Sequence, residues 1–206
     1  MTLKKGIFAL IGILTVFAGY RLFTATPDIK NLRPRGDRII CFGDSLTAGY
    51  GASQGRDYPS RLARLLGRPV INAGISGDTT DRALARLEKD VLSKSPRIVL
   101  ITLGGNDLKN RLPRDQTFRN LKTIVESIQS RGALVIIGAI DVPLFGRGFD
   151  RAYAALARET GAILIPNILE DIFGHRERMS DPIHPNDRGY ALMAERFYRA
   201  IPKEAL

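Results

Sequence analysis

Apolar positions follow two alternating patterns along most of the chain. Short, nearly continuous apolar runs are separated by longer stretches in which apolar residues return every three or four positions. The runs at Arg38–Phe42, Val70–Ile71, Arg97–Leu103, Leu134–Ile137 and Ala162–Ile165 predict strands with both faces covered. The stretches between them predict amphipathic helices. Leu62, Leu65 and Leu66 share a face over Tyr58–Leu66, and Leu84, Leu87, Val91 and Leu92 do so over Thr80–Lys94. The clearest stripe, Phe118, Leu121, Ile124, Val125 and Ile128, predicts a helix over Asp115–Arg131. Further helices are predicted over Asp150–Thr160, stopped by Gly161, and from Asn186 or Asp187, either of which can cap it, to about Ala200. A short helix is predicted at Asn167–Phe173. Strands joined by helices of this length require right-handed crossovers, so the pattern predicts a three-layer α/β domain around a parallel sheet of about five strands.

The pattern breaks at the start of the chain. Lys4 and Lys5 precede Gly6–Tyr20, fifteen residues without a charge, after which Arg21 interrupts and Leu22-Phe23 resumes. A helix apolar all round has no face to show to water, which ranks a buried domain helix last. A cleavable signal peptide suits the basic start and the length of the run. An uncleaved anchor suits a helix reaching Phe23 with Arg21 at the interface, and the absence of an Ala-x-Ala site favours it. Residues 24–37, with Pro27, Pro34 and Gly36, read as a linker, leaving 38–206 as the folded domain. The expectation is a folded domain that is membrane-anchored or exported, contacting the membrane through residues 6–23.

Charge sharpens that picture. The chain of 206 residues carries 31 Lys and Arg against 21 Asp and Glu, a net charge of +10. Residues 1–36 hold six of the cations and a single acid, Asp28, which suits an anionic membrane surface. Nucleic acid is not an expected partner, because the arginines are dispersed along helices and no aromatic-basic motif occurs. A lone cysteine, Cys41, excludes an intrachain disulfide and a cysteine-rich zinc site, and its apolar run predicts a buried thiol. No dinucleotide fingerprint, phosphate loop, zinc cluster or Gly-x-Ser-x-Gly elbow around Ser45 is present. No cofactor and no metal is expected.

Four short strings carry the candidate chemistry: Gly43-Asp-Ser-Leu46, Ser76-Gly-Asp78, Gly104-Gly-Asn-Asp107 and Asp181-Pro-Ile-His184. Three of them follow the predicted first, second and third strands, at the edge where parallel sheets bind ligands. The fourth lies in the loop before the last helix. Ser45 is a weak nucleophile unless a base takes its proton. His184 is the candidate base, since an imidazole of ordinary pKa, ~6.5, accepts a proton at neutral pH. Asp181, three residues earlier, can accept from the other ring nitrogen. His175, the only other histidine, lacks this framing and reads as solvated. Asn106 can aim an amide at an oxyanion, a contribution of about 3 kcal/mol in such sites, and the backbone N–H groups of Gly77 and Ser45 can join it. Asp44, Asp78 and Asp107 read as carboxylates that fix loops.

These strings, within Phe42-Gly-Asp-Ser-Leu-Thr-Ala-Gly-Tyr50, Asn72-Ala-Gly-Ile-Ser-Gly-Asp-Thr79, Leu103-Gly-Gly-Asn-Asp107 and Asp181-Pro-Ile-His-Pro185, resemble the SGNH (GDSL) hydrolase family. The resemblance spans roughly residues 38–200 and is nearest to the branch of bacterial acyl-CoA thioesterase I/lysophospholipases and arylesterases. It implies a flavodoxin-like fold without metal or cofactor. It also implies Ser45 as nucleophile, Asp181 and His184 completing a triad, and Ser45, Gly77 and Asn106 as the oxyanion hole. The expected activity is hydrolysis of small-molecule carboxylic esters or thioesters, lipid-derived acyl esters first among them, by a monomer. Removal of O-acetyl groups from envelope polysaccharide is the alternative within enzymes, and a non-catalytic tethered binding module the alternative outside them. Residues Leu108–Arg114 and Val142–Gly148 are expected to shape the acyl pocket.

Overall fold

In the computed structural model, which describes residues 28–141 and 148–206, the strands are β1 (Arg38–Gly43), β2 (Val70–Gly74), β3 (Pro96–Thr102), β4 (Leu134–Gly138) and β5 (Ile163–Ile165). All run parallel, in the order β2-β1-β3-β4-β5. The described helices are α1 (Ser45–Ala48), α2 (Tyr58–Leu66), α3 (Thr80–Asp90), α4 (Gly105–Lys109), α5 (Arg114–Ser130), α6 (Phe149–Thr160) and α7 (Asp187–Ala200).

Side-chain alternation along the strands divides the core in two. Ile40, Phe42, Val99, Ile101, Val135 and Ile137 face one way and pack with Ala83 and Leu87 of α3, Leu121, Ile124 and Ile128 of α5, and Tyr153 and Leu156 of α6. Ile39, Cys41, Ile98, Leu100, Leu134 and Ile136 face the other way, against Tyr58 and Leu62 of α2 and Tyr190, Met193 and Phe197 of α7. Tyr58 stacks on Phe197 with ring centroids 5.2 Å apart, joining α2 to α7. The central strands are almost wholly buried, as apolar runs with helices on both faces require.

Two predicted helices are corrected. The Thr80–Lys94 helix ends at Asp90, because Val91 leaves helical geometry (φ −129°, ψ −62°) and a single 3₁₀ turn, Leu92–Lys94, follows. Ser95 then takes a left-handed conformation ahead of Pro96, whose ring disfavours helix in the residue before it. The predicted Asn167–Phe173 helix is a series of turns. Asn167 bonds the Leu169 N–H through its own side chain, and Asp171 adopts φ +53°. That local bonding competes with a helical ladder. The short helices α1 and α4 were not predicted, since each is too brief to show a period. α7 begins at Asp187, with the Asn186 side chain accepting from Arg188 and Gly189.

Cys41 is fully buried, and burial pushes its thiol well above the usual range. Residues 28–37, the described part of the predicted linker, are tied to the domain. Lys30 N–H donates to the Gly161 carbonyl and Arg35 N–H to that of Gly132, while the Asn31 amide donates to Gln129 and Ala133. No helix among the described residues is long and apolar enough to cross a membrane. The predicted anchor or signal at 1–23 lies outside the described residues.

Candidate active site

The order of strands reverses between β1 and β3, whose connections leave toward opposite sides. Such a switch point opens a crevice at the carboxyl ends of the strands. Ser45 stands there, the first residue of α1, directly after β1. Gly43 lets the chain turn this tightly, since a Cβ would collide with Thr47 Oγ1 and the Thr102 carbonyl. Asp44 caps α1, its Oδ1 accepting from the Leu46 N–H at 3.0 Å. Beneath the turn, Thr47 Oγ1 is 2.6 Å from Thr102 Oγ1 and 2.8 Å from the Tyr58 hydroxyl. This buried knot fixes α1 to β3 and α2.

His184 arrives from 139 residues away, its Nε2 3.0 Å from Ser45 Oγ. Its Nδ1 lies 2.8 Å from Asp181 Oδ2. Asp181 Oδ1 meanwhile accepts the Ile183 and His184 N–H groups, each at 2.7 Å, so the carboxylate is locked into its own turn. Burial raises the Asp181 carboxyl, but these N–H groups and the His184 ring outweigh it and hold the group below its usual value. An ionised carboxylate only accepts, which places the imidazole proton on Nδ1 and leaves Nε2 free to accept from Ser45.

The loop around this pair is cinched. The Ser180 N–H and hydroxyl both donate to the His184 carbonyl, and Met179 pairs with Pro185. The Asn186 amide holds the Glu177 and Met179 carbonyls. The Tyr50 ring packs 4.5 Å from the imidazole. Tyr190 secures it by donating to the Tyr50 carbonyl. His175 is half exposed beside Glu177 and takes no part.

Asn106, in α4, enters from the end of β3. Gly104 precedes it at φ +113°, where a Cβ would strike the Tyr153 hydroxyl. The Asn106 amide donates to the Asp78 carbonyl at 2.9 Å and faces Asp44 Oδ2 at 3.4 Å. Asp107 points the other way. Its carboxylate accepts from Thr80 N–H (3.0 Å), Thr80 Oγ1 (2.6 Å) and Thr117 Oγ1 (3.3 Å), binding α3 and α5 to α4. Gly77 is exposed in the turn that Asp78 N–H closes onto the Ile75 carbonyl. Its neighbour Asp78 accepts from the Asn106 amide through its own carbonyl, which ties this turn to α4.

Arg86 is a residue the motifs missed. From α3, its Nε bonds Asp78 Oδ2 at 2.6 Å and its two terminal nitrogens reach Asp90 Oδ2, the Ala73 carbonyl and the Gly43 carbonyl, at 2.9 to 3.0 Å. The guanidinium lies 4.5 Å above the Phe42 ring. Its signal in the sequence was an arginine close behind the Ser-Gly-Asp string, too common a feature to stand out.

A cleft of about 660 Å³ opens over Ser45, Asn106 and His184. Leu108, Leu112, Ile140, Leu169, Phe173 and Ile183 give it apolar walls. Leu108 and Leu112 belong to the first stretch expected to shape the pocket, while most of the second, residues 142–147, lies outside the described residues. Among the described residues no cluster of three or more His, Cys, Asp or Glu side chains is placed to hold a metal ion.

The chain is 34% identical over 167 residues to the thioesterase 1/protease 1/lysophospholipase L1 of Escherichia coli K12, covering 77% of this chain and 80% of that protein. It is 34% identical over 170 residues to an arylesterase of Vibrio mimicus, covering 77% and 85%. The crystal structure of TesA superposes with a TM-score of 0.77 at 29% identity, over 82% of this chain and all of that one. The profile of the GDSL-like lipase/acylhydrolase family matches residues 41–192, and the chain belongs to that family.

Proposed function

We propose that this chain is a serine hydrolase that cleaves carboxylic esters and thioesters, with Ser45 as nucleophile, His184 as base and Asp181 as the residue that orients it. The observation that carries the reading is the continuous chain of hydrogen bonds from Asp181 through His184 to Ser45 Oγ. Ser45 Oγ attacks the acyl carbon while its proton passes to His184 Nε2. The bond to the leaving group breaks, and the alcohol or thiol departs with that proton. Water then attacks the acyl-serine, giving a proton to His184, and the acid leaves as Ser45 regains its own.

The oxyanion is held by the N–H groups of Ser45 and Gly77 and by the Asn106 amide. The 3.4 Å contact of Asn106 with Asp44 is long enough to be exchanged for a developing oxyanion. The apolar walls suit an acyl chain, and the activities by which the relatives are named, thioesterase, lysophospholipase and arylesterase, lie in the same class. Ser45→Ala should lower hydrolysis of a p-nitrophenyl ester by at least about a thousandfold and abolish labelling by a fluorophosphonate probe. Near-parental turnover would remove Ser45 from the nucleophile's role. Residues 1–23 serve as anchor or export signal ahead of the domain, with the hydrolase outside the cytoplasm. The uncharged run Gly6–Tyr20 supports it, and fractionation of cells expressing the full chain tests it.

A further inference from the structure

The cleft has a cationic mouth that no acidic side chain among the described residues neutralises. Lys109 and Arg111 line it, and both are exposed. Every Asp and Glu of the chain lies among the described residues, and none comes within ion-pair distance of either cation. The one acid that lines the cleft, Asp44, is 3% exposed and turned toward Leu46 and Asn106.

Arg111 also sits where an arginine is conformationally disfavoured. After α4, Leu112 N–H bonds the Asp107 carbonyl and Arg111 N–H bonds that of Leu108, the paired bonds of a Schellman ending. The residue after the cap in that motif is left-handed and is usually glycine. Here it is Arg111, at φ +56°. The other described non-glycine residues with positive φ, Asn31, Ser95 and Asp171, have short polar side chains suited to that region. A long charged side chain kept in a glycine position at the rim of a cleft points to a use for it there.

Building on the serine-hydrolase reading above, we infer that Lys109 and Arg111 form an anion subsite selecting acyl esters or thioesters whose leaving group carries a phosphate. The acyl chain lies along the apolar walls and the phosphate meets the rim. An arginine fork and a lysine ammonium together match phosphate oxygens.

The experiment compares matched substrates differing only by the phosphate: 1-decanoylglycerol with its 3-phosphate, and decanoyl-pantetheine with decanoyl-phosphopantetheine. The readout is the ratio of kcat/KM for the phosphate-bearing over the neutral member. The wild type should favour the phosphate in at least one pair, the ester pair pointing to lipid headgroups and the thioester pair to carrier thiols. That ratio should shrink as salt is raised. Arg111→Gly and Lys109→Gln should each lower it about threefold, and the double variant about tenfold. Arg111→Gly should also unfold at the same or a higher temperature, since glycine relieves the left-handed backbone, so a lost preference cannot be ascribed to misfolding. Arg199→Gln, which removes one charge from the far end of α7, should leave the ratio unchanged. A wild-type ratio near one in both pairs, or a ratio that survives the double variant, overturns the subsite while leaving the hydrolase intact. Loss of turnover on every substrate, p-nitrophenyl esters included, overturns the hydrolase reading instead.

Discussion

Asp44, next to Ser45, shows how a residue outside the Asp181–His184–Ser45 chain of hydrogen bonds can shape the protein's response to pH. Burial pushes its carboxyl up to about 7, against the pull of the Leu46 N–H and with added repulsion from Asp78 and Asp107. An aspartate in the unfolded chain titrates near ~3.9. Between those values the folded protein holds a proton that the unfolded chain releases. Stability therefore falls as pH rises through this window, on the order of 1 kcal/mol per unit, and levels off above it. Asp44→Asn keeps the acceptor for Leu46 and removes the titration. Its melting temperature should gain on the wild type progressively from pH 5 to pH 8, as followed by calorimetry. A constant offset across that range would show that Asp44 is not the titrating group. The sequence revealed Ser45, His184 and Asn106 because each lies in a string with a chemical role. It could not reveal the raised carboxyl of Asp44, which depends on how much chain is packed over it.

The ends of the strands are held in place by helices. Arg86 on α3 binds the last carbonyl of β1, a carbonyl near the end of β2, and the Asp78 carboxylate, whose own backbone carbonyl receives Asn106. Its side chain is 13% exposed and that of Asp78 5%, so truncating one strands the other in a poorly solvated place. Arg86→Met should cost roughly 3 kcal/mol in urea unfolding. It should also lower kcat more than it raises KM, because the donors around Asn106 lose their alignment. Arg86→Lys should restore only part of either, lacking the fork that spans four acceptors. Equal loss in stability with unchanged kcat would confine Arg86 to the scaffold. At this scale the sequence was legible wherever periodicity was long, as in α5 and α7. It failed where backbone geometry ruled. Val91 continues the apolar stripe but leaves the helix, and Asn167 and Asp171 turn the stretch Asn167–Phe173, with its helical spacing of apolar residues, into loops.

The molecule as a whole gathers its site from the two extremes of the domain. The parallel order of strands was readable from alternating strands and helices, and it brought three strings to one edge without any knowledge of contacts. What the order could not supply was the return of the loop before α7, which rests on the packing of Tyr190, Met193 and Phe197 into the core face of α2. A chain ending at residue 175 keeps all five strands and the nucleophile yet lacks Asp181, His184 and α7. It should be inactive toward p-nitrophenyl esters. Adding the separately made segment 176–206 should restore measurable turnover, and failure of restoration alongside demonstrated binding would show that the base needs covalent continuity to find its place.

The 139-residue separation of Ser45 and His184 therefore has a temporal meaning. During synthesis Ser45 emerges early and His184 late, so a growing or truncated chain carries the serine without its proposed base. Until the last helix docks, Ser45 lacks the imidazole that stands 3.0 Å from it in the finished fold. Completion of the fold is itself the switch that turns the hydrolase on.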